Sequence, residues 1–151
     1  LNGTKIEVET PTHISGTVNF ENGAIATVLT TFDIWGANLP FIEIYGSEGS
    51  LSVPNPNNFG DPVQILKRST GEWEDVPVTR PFAENSRGLG VADMAASIVS
   101  GEPHRASGAL ASHVLDILHA FVNSAESGQR VDLTTTCERP APLPVDMLTF
   151  G

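Results

Sequence analysis

Apolar residues in this chain alternate with a period of two up to residue 78 and recur at helical spacing from residue 89. Strands first and helices last define an α+β fold, not a series of βαβ units. Ile6 and Val8 alternate with charges over residues 5–9, and Pro11 ends that run. Ile14, Val18 and Phe20 mark a strand over 13–20, followed by a long β-branched strand over 24–34 (AIATVLTTFDI). Asn22-Gly23 between them is a strong hairpin signal, because both residue types tolerate positive φ. Runs at 41–45 and 51–53 flank Gly46-Ser-Glu-Gly49, and runs at 63–68 and 73–78 flank Ser69-Thr70-Gly71. Successive hairpins make these strands antiparallel.

The helical half has clear punctuation. Leu89, Ala92, Ala96 and Val99 share one face, and Gly101-Glu-Pro103 stops that helix. Ser107 is placed to cap a second helix whose stripe is Leu110, Val114, Ile117, Leu118, Phe121 and Ala125, with Gly128 at its end. Val131-Asp-Leu133 reads as a last short strand, and Arg139 to Pro144 as extended chain. The expected architecture is one domain over 1–151: an open, mostly antiparallel sheet with both helices on one face. Ile25, Val28, Leu29, Phe32 and Ile34 make one strand apolar on both sides, so the bare face is expected to meet another subunit.

A chain of 151 residues is long enough to bury about 68–70% of its unfolded surface. It carries 18 acidic and 8 basic side chains, a net charge of −10, with no basic stripe. Nucleic-acid affinity comes largely from Lys and Arg on phosphates, so that class of partner is excluded. No apolar run reaches the ~18 residues needed to span a membrane. The single cysteine, Cys137, rules out an internal disulfide framework and points to a reducing, cytoplasmic setting. The opening, LNGTKIEVET, starts within a strand pattern and reads as the interior of a longer polypeptide.

Few motifs carry chemistry. Gly88-Leu-Gly90-Val-Ala-Asp93 has Asp where a dinucleotide fingerprint has its third glycine, and it follows a loop, so no cofactor site is assigned to this chain. His113, Asp116 and His119 are successive neighbours on the second helix, but the two histidines diverge by about 120°, which argues against a three-ligand metal centre. Glu72, Glu74 and Asp75 sit on a turn as solvated surface. Two loops combine residues suited to hydroxylated ligands. Trp35 and Asn38 supply an aromatic platform and an amide; Arg80, Asn85 and Arg87, before the first helix, supply hydrogen-bond donors. The plainer alternative is that both loops only cap the sheet, with Arg87 paired to Glu84 or Asp93.

Several segments stand in one order: Gly16–Gly23 (GTVNFENG), Ile42–Leu51 (IEIYGSEGSL), Arg87–Met94 (RGLGVADM), His104–Gly108 (HRASG), His113–Leu115 (HVL) and Ser124–Gly128 (SAESG). Together they resemble the C-terminal domain of the Gfo/Idh/MocA oxidoreductases, the glucose–fructose oxidoreductase and inositol dehydrogenase group. The resemblance implies an α+β partner to an N-terminal Rossmann domain that binds NAD or NADP. It also implies hydride transfer on a sugar, sugar acid or cyclitol, and homo-oligomers built through the sheet. The family's Glu-Lys-Pro and Asp-x-x-x-His elements have no counterpart here, so no catalytic residue is assigned. His13, His104, His113 and His119 are out of place for the family's catalytic histidine. Substrate contacts are expected from Trp35, Asn38, Arg80, Asn85 and Arg87, and this chain alone is expected to show no turnover. A non-catalytic binding or assembly module that reuses the fold is the alternative. The Gly46–Gly49 turn is expected to be scaffold, with Pro54 ending an edge strand.

Overall fold

The structure, a computed structural model, describes residues 3–79, 81–84 and 86–145. It is α+β: antiparallel hairpins precede two helices. The six strands are β1 (His13–Asn19), β2 (Ile25–Thr31), β3 (Ile42–Tyr45), β4 (Gly49–Val53), β5 (Val63–Lys67) and β6 (Trp73–Val76). Helices α1 (Leu89–Ser100) and α2 (Gly108–Ser127) follow. The chain groups into two compact units, Leu1–Ala37 with Gly108–Cys137, and Asn38–Ser107 with Glu138–Gly151. No helix among the described residues is long and apolar enough to cross a membrane.

In the first unit β1 and β2 pair from His13↔Thr31 to Asn19↔Ile25. Their connection differs from the expected Asn-Gly turn. Gly23 N–H donates to Phe20 O at 2.9 Å, and Gly23 alone carries positive φ, at 87°. That is a type I turn closed by a left-handed glycine, with Asn22 Oδ1 accepting the Ala24 N–H at 3.0 Å. The register places Ile14, Gly16, Val18, Ala26 and Val28 on one face, and α2 lies against β1 there. Gly16 makes the close approach possible, since a Cβ would come within 2.8 Å of the Phe121 ring. On the opposite face Ile25 and Leu29 remain exposed.

The helix face differs from the predicted stripe. Leu110, Ile117 and Phe121 are half-buried, whereas Val114, Leu118 and Ala125 are exposed; His113, Asp116 and Ala120 are half-buried instead. The cause is the segment after α2. Residues 131–133 form no strand but belong to a return held by Ser124 Oγ donating to Gln129 O at 2.8 Å and by Thr135 on His113 and Asp116. Residues 5–9 also form no strand; Ile6 and Val8 are exposed, and an alternating run without a neighbouring strand has no ladder to join.

The second unit holds the sheet β3-β4-β5-β6. The pairing aligns Ile44, Leu51, Ile65 and Glu74 in one row across the strands and Tyr45, Ser50, Leu66 and Trp73 in the next. Alternate rows face opposite ways. One face is therefore mostly aliphatic (Ile42, Ile44, Leu51, Val53, Val63, Ile65 and Val76, with Glu74), and the other mixes Tyr45, Leu66 and Trp73 with polar residues. The antiparallel strands are divided between a two-stranded and a four-stranded sheet, and among the described residues α2 packs on β1 while α1 meets no strand. Among the described residues no apolar side chain is fully buried; in the first unit, one helix on a two-stranded ribbon covers little area.

Candidate functional site

A polar pocket in the second unit forms where the loop after β4 meets the approach to α1. Pro54 ends β4, which is an inner strand and not the expected edge, and Asn55 then turns the chain: its Oδ1 accepts Asn57 N–H at 3.0 Å and its carbonyl accepts Asn58 N–H at 3.0 Å. Asn58 Nδ2 donates to Asp61 Oδ2 at 2.6 Å, closing the loop on itself. Gly60 packs so tightly on the Ala83 carbonyl that a Cβ there would collide with it. Glu84 and Ser86 lead into α1, Ser86 Oγ donating to Glu84 O at 3.0 Å.

Arg87 reaches back across this junction. Its Nη2 donates to Asn57 Oδ1 at 2.9 Å and to Asn57 O at 3.4 Å, and its Cζ lies 5.9 Å from the centre of the Phe59 ring. The resulting pocket, about 380 Å³, is lined by Asn57, Phe59, Asp61, Glu84 and Arg87 with their neighbours. Amide, guanidinium and carboxylate groups around one aromatic ring offer the alternating donors and acceptors that hydroxyl groups require.

Of the five predicted ligand residues, Arg87 is in this pocket. Asn38 is an exposed residue of the same unit and does not line it. Trp35 belongs to the first unit with its side chain fully exposed. Arg80 and Asn85 lie outside the described residues. Neither Glu84 nor Asp93 forms an ion pair with Arg87. Asn57, Phe59 and Asp61 are not among the predicted ligand residues because the Asn-Pro run reads as a strand terminator; their signal in the sequence is an aromatic between amides, the same mix as Trp35 and Asn38.

Each unit holds further polar features. Asp93, 3% exposed, is the one fully buried side chain described; it accepts Arg105 N–H at 2.7 Å and pairs with the Arg105 guanidinium. Burial pushes its carboxyl upward, but the Arg105 N–H, the Arg105 guanidinium and the nearby His104 outweigh that and hold it below the usual carboxylate range. On α2, Thr135 Oγ1 donates to Asp116 Oδ2 at 2.6 Å and lies 2.9 Å from His113 Nδ1. Among the described residues no cluster of His, Cys, Asp or Glu could hold a metal ion. A larger concavity of about 830 Å³ lies along the β3–β4 turn and Lys67–Ser69, where Lys67 is engaged by Glu74 at 2.7 Å.

No family model, curated protein or solved structure matches the chain.

Proposed function

We infer that this chain is the substrate-binding and subunit-contact domain of an NAD(P)-dependent oxidoreductase acting on a sugar, sugar acid or cyclitol. In this reading a Rossmann domain outside the chain binds NAD or NADP and supplies the catalytic groups, and the enzyme is a cytoplasmic homo-oligomer. The observation that carries it is Arg87, held over Phe59 by Asn57 at the lip of a hydroxyl-matching pocket. The exposed aliphatic side chains Ile42, Ile44 and Val76 support the contact role, since such surface is ordinarily covered. The full-length polypeptide should oxidise or reduce members of a polyol panel with NAD(H) or NADP(H), followed by cofactor absorbance. Absence of cofactor-linked turnover on every member would overturn the reading. The exposed aliphatic surface would then favour a non-catalytic assembly module that reuses the fold.

A further inference from the structure

Among the described residues Lys67, Arg105 and Arg130 each sit against a carboxylate, in a chain of 18 acidic and 8 basic side chains. Arg87 instead takes neutral partners, and the way it does so decides what it can hold. A carboxylate grips a guanidinium through two parallel N–H···O bonds, using either Nη1 with Nη2 or Nε with Nη2. Nη2 is common to both arrangements and carries two protons. Both Arg87 Nη2 bonds go to Asn57, at 2.9 Å to Oδ1 and 3.4 Å to the carbonyl. Nε with its one N–H and Nη1 with its two remain as donors, which suit hydroxyl oxygens; with Nη2 engaged by Asn57 neither can complete the two-pronged grip.

The pocket's charge acts in the same direction. Asp61 and Glu84 both line it, so one guanidinium faces two carboxylates. Asp61 uses Oδ2 to accept from Asn58 at 2.6 Å, leaving Oδ1 as an acceptor for a ligand hydroxyl. An anionic ligand meets two carboxylates and one guanidinium among the described lining residues, whereas a neutral polyol finds donors and acceptors without a charge penalty.

We propose that Asn57, Asp61 and Glu84 make the Arg87 pocket selective for a neutral polyhydroxylated ligand over a carboxylate-bearing analogue. The proposal rests on reading this pocket as the substrate pocket, and it narrows the substrate to the neutral members of that class. The test is an NMR titration of the full chain with myo-inositol and, in parallel, with glucuronate, following the Arg87 Nε–H and Asn57 side-chain amide signals. Saturable shifts with myo-inositol are expected, with glucuronate binding at least about threefold more weakly, the effect of one unit charge about 7 Å from a carboxylate in water. Glu84→Gln, an exposed substitution, should strengthen glucuronate about threefold and leave myo-inositol unchanged. Asn57→Ala, which removes the 2.9 Å Oδ1 partner of Nη2 and leaves only the longer contact to the main-chain carbonyl, should strengthen glucuronate further. Glucuronate binding as tightly as myo-inositol, or indifferent to both substitutions, overturns the selectivity and leaves the pocket standing. No shift with either ligand overturns the pocket and this proposal with it.

Discussion

Replacing Asp93 with alanine should destabilise the second unit more than any single change on its exposed sheet. The carboxylate is 3% exposed and accepts both the backbone N–H of Arg105 at 2.7 Å and its guanidinium. Its removal strands two donors, one of them charged. Breaking a fully buried ion pair costs about 3–5 kcal/mol. The Arg105 side chain is 30% exposed, so water recovers part of its solvation and about 2–3 kcal/mol is the expected loss. Urea unfolding followed by Trp fluorescence would show a midpoint lower by about 1 M, for a slope of about 1–3 kcal/mol per molar. The pH dependence has a fixed sign. The Asp93 carboxyl is held below its unfolded value, so its contribution is present above the ordinary carboxylate range and is lost as pH falls through the lowered folded value. Asp93→Asn retains an acceptor for the Arg105 N–H but abolishes this acid-side loss. An unchanged midpoint in Asp93→Ala, or an acid limb of the same slope in Asp93→Asn, would refute the reasoning.

Gly16→Ala puts a methyl within 2.8 Å of the Phe121 ring and should destabilise the first unit by about 1 kcal/mol, readable in thermal unfolding by circular dichroism; a neutral result would mean the ring moves freely aside. Thr135→Val removes the bridge between His113 and Asp116, and about 1 kcal/mol should be lost, with faster amide exchange over 131–137; exchange at the parent rate would show that the return is held elsewhere. In the full-length polypeptide, Arg87→Ala should lower kcat/KM about tenfold, equivalent to about 1.4 kcal/mol, with little change in unfolding midpoint; full activity would remove Arg87 from the site. The exposed Ile42, Ile44 and Val76 predict a dimer or larger assembly by light scattering, and a monomer at tens of micromolar would count against it.

What could be read from the sequence follows the range of the interactions concerned. Hairpins and helix ends are decided within a few residues: Gly46 N–H bonds to Gly49 O at 2.8 Å, and Gly101 N–H to Ser97 O at 2.8 Å, close to where the turn residues placed them. The buried face of α2 is not legible in its own period because it depends on the return of residues 129–137. Apolarity favoured Val114 and Leu118, while the hydrogen-bonding reach of Thr135 turned His113 and Asp116 inward. Hydrophobic period measures burial only when an apolar surface does the covering.

The same distinction separates Arg87 from its pocket. Arg87 stood out as a donor beside a helix start, but its partner Asn57 lies 30 residues earlier and is presented by an Asx turn whose residues also suit a strand terminus. Asp93 shows the converse. It disqualified a glycine fingerprint, and that negative use concealed its positive one: a carboxylate facing Arg105, 12 residues on, across the Gly101-Glu-Pro103 stop. Once α1 ends and the chain doubles back, an acid in its first turns and a base just past its end are brought together, and burial requires that they pair. A charged residue on the apolar period of a helix that ends in such a reversal is therefore better read as half of an ion pair than as a flaw in a motif.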